Sequence, residues 1–191
     1  MAIKTGSIIL VNHKKGIFSH LIKFFTKSKY SHSAIVTGKL IEPDSVLSAE
    51  TIISLYPLSN YENKDYDFDI YEISYDEELL LKYTREAYKK YAYQNYGYLQ
   101  LLWFVYRWFT GLFHIDVRKQ GNWFPEGIIC SELVYNYLKS LAQKKSFLFL
   151  LYLEKWNSNA FTPEDLAEVI NKEPKIFKLV ASYKDGKYIP V

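Results

Sequence analysis

Apolar positions along the chain change their period twice. Residues 6–11 (GSIILV) form a continuous apolar run behind a turn residue, which predicts a buried strand. Residues 17–27 (IFSHLIKFFTK) repeat apolar side chains at helical spacing and predict a short amphipathic helix. Residues 32–37 (HSAIVT), ended by Gly38, and residues 46–51 (VLSAET) read as the second and third strands. The alternation of residues 67–73 (DFDIYEI) predicts a half-buried fourth. From residue 76 the spacing turns helical, opening on an Asp-Glu-Glu turn that suits a helix N-terminus. Gly97 breaks this pattern, residues 98–109 predict the next helix, and residues 111–127 a loop carrying Pro125. Residues 129–142 are helical again, followed by an apolar segment, 147–153. Thr162 and Pro163 fit the N-cap and first position of a further helix, and residues 176–183 close as a strand.

The pattern predicts an α+β fold with a small, mostly antiparallel sheet and helices gathered in sequence between the fourth and fifth strands. No repeat, low-complexity linker or shift of composition divides the chain, so residues 1–191 are expected to form a single domain. A chain of 191 residues, 49% apolar and 24% charged, has the length and composition to bury a core.

Charge and targeting signals narrow the classes further. The net charge is +3, and no basic block carries interleaved aromatics, so nucleic-acid binding is set aside. The N-terminal apolar run is too short for a signal sequence and no small-residue cleavage site follows it. The apolar stretch 98–113 is interrupted by Gln100 and Arg107 and falls short of the roughly 20 residues of a membrane span. It is expected to be a buried or interfacial helix, and the protein to be soluble and cytoplasmic.

Chemistry enters with the single cysteine. One cysteine excludes an internal disulfide and any Cys-x-x-Cys metal motif. Cys130 follows a glycine turn (Gly127-Ile-Ile-Cys) at the start of a predicted helix, where unpaired N–H groups and the helix dipole favour a thiolate. A thiolate nucleophile needs a nearby imidazole to exchange its proton. His13 and His20 stand beside lysines and read as solvated, and His114 falls in an aromatic loop. His32 opens an apolar strand and can project from a rigid sheet edge. Glu50, ending the third strand in Leu-Ser-Ala-Glu, is the candidate to orient that ring; Glu42 and Asp44, in a turn, are weaker candidates. The three residues are expected to line a cleft.

The order of these motifs resembles a known family. Gly6-Ser-Ile-Ile-Leu followed by Tyr30-Ser-His-Ser-Ala-Ile-Val-Thr-Gly is similar to the "GDIIL … SHVAIVxG" opening of circularly permuted NlpC-like, papain-fold cysteine peptidases and amidases, the YiiX-like group. Val46-Leu-Ser-Ala-Glu-Thr-Ile with Leu55-Tyr-Pro-Leu resembles that group's "VIEA … V … PL" strand. Gly97-Tyr98, Ile129-Cys-Ser-Glu-Leu-Val and Thr162-Pro-Glu-Asp-Leu complete the order, over nearly the whole chain. The resemblance implies Cys130 as nucleophile, His32 as base and Glu50 as orienting acid, with Tyr98 or Tyr96 assisting an oxyanion site. Ser7 departs from the family's usual Asp, and members of the group are often exported.

The implied activity is hydrolysis of an amide bond through a thioester, with no metal or cofactor. The implied substrates are small peptides, cell-wall peptides or amino-acid amides. Lecithin retinol acyltransferase and its relatives share the permuted layout and act on lipid acyl esters, but their nucleophile motif reads Asn-Cys-Glu-His-Phe where this chain has Ile-Cys-Ser-Glu-Leu. Residues 98–113 and 147–153 are aromatic enough to line an acyl groove or touch a membrane surface, although core packing is the simpler reading of both. A non-catalytic binding module on the same fold is the third reading.

Overall fold

The computed structural model describes residues 3–38, 45–123 and 126–189. Among them lie β1 (Ile8–His13), α1 (Ile17–Thr26), β2 (His32–Gly38), β3 (Ser45–Ala49), β4 (Ile53–Pro57) and β5 (Tyr66–Ile73). Helices α2 (Glu77–Tyr91), α3 (Leu101–Leu112), α4 (Cys130–Lys145), α5 (Phe147–Leu153) and α6 (Pro163–Lys172) follow, then β6 (Phe177–Lys184) and β7 (Lys187–Ile189). Glu42, Asp44 and Pro125 lie outside the described residues.

The seven strands make one sheet in the order β4-β3-β2-β1-β5-β6-β7, with every neighbouring pair antiparallel. The α+β class and the position of most helices follow the sequence pattern. The sheet is larger than the small one expected, because β4 and β7 escape the pattern. β4 is an edge strand of mixed polarity ending at Pro57, a residue tolerated at sheet edges because it cannot donate to a ladder. β7 has three exposed residues and exists by virtue of its turn. Asp185 and Gly186 take φ of 51° and 85°, the two positive values that a tight antiparallel hairpin needs.

β1 is central, and both of its faces are covered, which explains its unbroken apolar run. Ile8 and Leu10 join the core that α2, α4 and α6 build on one side. Ile9 and Val11 face the other way, against Leu58, Tyr61, Phe68 and Tyr183. The main helix, α4, buries Leu133, Val134, Leu138 and Leu141 completely. Each such side chain contributes roughly 2 kcal/mol by leaving water, so the helix that begins at Cys130 is anchored along its length. α6 starts on a reciprocal cap in which Thr162 and Asp165 satisfy each other's backbone N–H groups.

Candidate active site

Three elements converge at one end of the sheet. His32 is the first residue of β2, Glu50 follows the last residue of β3, and Cys130 is the first residue of α4. β2 and β3 pair with Ala34 opposite Ser48, and continuing that register by two residues sets His32 opposite Glu50. Their side chains meet, with Nε2 of His32 3.3 Å from Oε1 of Glu50.

Two residues that the sequence reading missed complete this acidic end. The Ser48 hydroxyl lies 2.7 Å from Nε2 of His32 and donates to Glu50 Oε1 at 3.2 Å. The Tyr61 hydroxyl also donates to Glu50 Oε1, and lies 3.0 Å from the Ser48 hydroxyl. Ser48 was legible as a same-face neighbour two residues before Glu50. Tyr61 was not, because only the turn after β4 brings it back under the sheet.

The Cys130 thiol is hydrogen-bonded to the His32 imidazole. Burial favours the neutral thiol, but the charge of His32, its hydrogen bond and the Ser33 backbone N–H outweigh burial and hold the thiol pKa below its ordinary value. Burial likewise opposes protonation of His32. The Glu50 carboxylate and the facing sulfur outweigh it and push the imidazole up to about 9. Glu50 is lowered in turn: the charge of His32 and the hydrogen bonds from Tyr61 and Ser48 overcome its partial burial. The shifts together favour thiolate at Cys130 and imidazolium at His32, with the Glu50 carboxylate against the ring.

A strap between the two halves of the site fixes its spacing. Residues 93–97 bond the Glu50 turn on one side, through Ile53 N–H to Gln94 O (2.9 Å) and Tyr96 N–H to Thr51 O (3.0 Å). On the other side they bond the loop before the nucleophile, through Gly97 N–H to Ile128 O (3.2 Å) and Ile128 N–H to Asn95 O (3.1 Å). Gly127 permits this close approach. Its φ is +78°, and a Cβ there would stand 2.7 Å from the Gly97 nitrogen and 2.8 Å from the Asn95 oxygen.

The strap also separates the two tyrosines named from the sequence. Tyr96 is hydrogen-bonded to Cys130, and burial together with the facing sulfur raises its pKa well above the ordinary phenol value. Tyr98 is half exposed; its ring lies 4.8 Å from that of Tyr96 and 6.3 Å from that of Phe18.

No protein-family model matches the sequence, and no curated protein does. A crystal structure of the metalloprotein YiiX from Escherichia coli O157:H7 is similar to this chain. The two share 19% identity with a TM-score of 0.46, over 76% of this chain and 85% of that one. Among the described residues of this chain, no group of three or more His, Cys, Asp and Glu is arranged to hold a metal ion.

The cleft at the site encloses about 210 Å³ and is lined by His32, Glu50, Tyr61, Tyr96 and Tyr98, with Phe18 and Leu101 among its apolar walls. His32 and Glu50 line it as the sequence reading expects. Cys130 does not: it is 2% exposed, because α4 tucks its first residue into the core. His13 also departs from expectation. Instead of standing free in solvent it lines the cleft, its ring stacked on Tyr66 at 4.4 Å, and burial lowers its pKa despite nearby Asp65. His20 and His114 are exposed.

Glu132 is a further residue the sequence reading passed over. It lies in the first turn of α4, where it accepts from the Ile129 N–H and interacts with Gln100, whose side chain in turn donates to Gly127 O at 2.7 Å. Oε2 of Glu132 and Oε1 of Gln100 are both buried with no hydrogen-bond partner. Burial outweighs the two hydrogen bonds and pushes the carboxyl up to about 7. A retained proton avoids an uncompensated buried charge, and a neutral carboxyl can donate where a carboxylate only accepts.

Proposed function

We propose that the protein is a cysteine hydrolase of the permuted papain-like kind, cleaving an amide bond through a thioester. The observation that carries the reading is the meeting of Cys130, His32 and Glu50, which come from three separate elements, in the order nucleophile, base, acid. Triads are defined by such geometry and not by chain order.

In this reading the Cys130 thiolate adds to the substrate carbonyl carbon, and the carbonyl electron pair moves to oxygen. The oxyanion rests on the Cys130 N–H, an orphan donor of the first turn of α4, with the Tyr96 hydroxyl as a second donor. Collapse breaks the carbon–nitrogen bond, and the imidazolium of His32 gives its proton to the departing amine. His32, now neutral, takes a proton from water as that water attacks the thioester. The acid leaves, and the thiolate and imidazolium are restored.

Peptides and amino-acid amides are the first substrates to test. A lipid acyl ester is the second reading, favoured by one observation: Phe18 and Leu101 give the cleft apolar walls. The experiment is turnover of peptide amides, cell-wall peptides and phospholipids by the protein and by Cys130→Ala, with mass spectrometry for an acyl adduct on Cys130. Turnover that survives Cys130→Ala would overturn the reading.

A further inference from the structure

Helices α1 and α3 bury Ile22, Trp103 and Phe104 on their inner faces, and turn polar side chains inward as well, leaving apolar outer faces where a typical surface helix is polar. In α1 the polar residues turn inward: Ser19 donates to His13 O at 2.6 Å, and Lys23 reaches Asn12 Oδ1 at 2.9 Å and His13 O at 3.0 Å. Its outer face is Ile17, Phe18, Leu21 and Phe24, of which Ile17 is 78% and Phe24 61% exposed. α3 has the same two apolar sides. Arg107 points in to a two-pronged ion pair with buried Asp165, and Thr110 is buried, while Leu102, Phe109 and Leu112 face out. The helices lie side by side, with the rings of Phe24 and Phe25 each 5.7 Å from that of Trp108. Their outer faces therefore form one apolar surface. Monomeric soluble proteins rarely leave such a surface unpartnered.

Charge indicates what covers it. The chain has 21 acidic residues, yet none falls between residues 14 and 29 or between 93 and 115. The first of these segments carries five lysines: Lys14 is held by Asp67 and Asp185 and Lys23 turns inward, whereas Lys15, Lys27 and Lys29 are exposed, Lys15 beside Asp65 and Lys29 beside Asp69. A bulky apolar face with exposed lysines at both ends of α1 and no carboxylate of its own is complementary to the acyl boundary and headgroups of an anionic bilayer. Among the described residues no helix is long and apolar enough to cross a membrane, so contact would be in the plane of the surface. The face is also continuous with the cleft, because Phe18 and Tyr98 belong to both.

We infer that the α1–α3 face docks the protein on an anionic lipid bilayer, with the mouth of the Cys130–His32 cleft at the membrane surface. The binding claim stands apart from the hydrolase reading, because docking needs no turnover.

The test is co-sedimentation of the full chain with vesicles of phosphatidylcholine alone and of phosphatidylcholine with phosphatidylglycerol. Binding should appear with the anionic vesicles and weaken as salt rises. Phe24→Asp and Phe109→Asp, each checked for fold by circular dichroism, should weaken it at least about tenfold, since each sets a charge in the apolar layer. Lys27→Glu, on an exposed position after α1, should weaken it as well and serves if either aspartate variant fails to fold. Neither Phe24 nor Phe109 lines the cleft, so turnover of a soluble substrate should be retained in both. Background sedimentation at every composition would overturn the inference. So would a dimer in solution that Phe24→Asp disperses, because the face would then belong to a second copy of the chain.

Discussion

His32 and Glu50 stand opposite one another on a single antiparallel register, Nε2 3.3 Å from Oε1, just beyond the Ala34–Ser48 pair of β2 and β3. A slip of one residue would carry Glu50 to the other face of the sheet, so the pairing of base and acid is written into the ladder itself. Glu50→Gln keeps a group that can orient the ring but removes the charge that stabilises imidazolium. A hydrogen bond to a charged group contributes about 1.5–3 kcal/mol, so turnover should fall roughly ten- to a hundredfold. His32→Ala and Cys130→Ala should leave none measurable. Steady-state kinetics of the three variants on one substrate checks the order; full activity in Glu50→Gln would make Glu50 an ordinary strand-end residue.

Tyr61 gives a separate handle on the same carboxylate. Tyr61→Phe removes its donor to Glu50 and leaves the ring, which packs parallel to His32 at a centroid distance of 6.1 Å. With one of the two hydroxyl donors lost, the Glu50 pKa should rise toward its ordinary value. The acidic limb of the pH–rate profile should then move to higher pH, with a smaller loss at neutrality than Glu50→Gln causes. An unchanged profile would show that Ser48 alone holds the carboxylate.

Much of the scaffold could be read from periodicity, because β1, β2, β5 and α4 bury whole faces and their patterns are strong. The Cys130–His32–Glu50 trio was legible because each member sits at the boundary of such an element: a strand start, a strand end and a helix start. What stayed hidden depends on backbone paths that apolar periodicity does not encode. Tyr61 reaches Glu50 only through the turn after β4, and Tyr96 is singled out from 18 tyrosines only by the strap that bonds residues 93–97 to both halves of the site. The apolar outer faces of α1 and α3 were illegible for a different reason. Apolar periodicity locates a helix stripe without saying whether it turns toward the core or away from it.

Gly127 sets the approach of the strap to the nucleophile loop. Gly127→Ala would force its Cβ against the Gly97 nitrogen and the Asn95 oxygen, both backbone atoms that cannot swing aside, and would strain a φ of +78°. A destabilisation of about 1–3 kcal/mol is expected, together with a loss of turnover larger than stability alone explains, because the loop delivers Cys130. Denaturant titration and single-turnover rates on the same preparation separate the two effects. An active, fully stable Gly127→Ala would mean that the strap does not fix the site.

Glu132 predicts a dependence of stability on pH that runs against the usual carboxylate trend. Its pKa is raised from 4.5 to about 7 in the folded protein, so the folded state holds a proton that the unfolded state releases. The stability this proton contributes is full below about 4.5, falls as pH rises toward 7, and is gone above. For a buried group the span corresponds to at most about 3 kcal/mol. Glu132→Gln, which mimics the neutral carboxyl, should remove this slope and be more stable than the parent above pH 7. Melting temperatures of the pair across this range decide it; parallel curves would show that Glu132 stays ionised.

The last expectation concerns the thiol. Cys130 is held below its ordinary pKa chiefly by the charge and hydrogen bond of His32, against the pull of burial. Alkylation by iodoacetamide should therefore show a midpoint below the ordinary thiol value of 9.0. Because the sulfur is buried, the midpoint and not the absolute rate is the quantity to read. His32→Ala should move that midpoint upward, past the ordinary value, since burial would then act unopposed except by the Ser33 N–H and the helix dipole. The imidazolium should persist until pH approaches about 9, so turnover that needs His32 to protonate a leaving amine should fall on the alkaline side near that pH. Titration of the His32 ring by NMR and the alkylation profile report the two halves of the pair independently. A thiol midpoint at or above 9 in the folded protein, unmoved by His32→Ala, would make Cys130 a core residue and end the hydrolase reading.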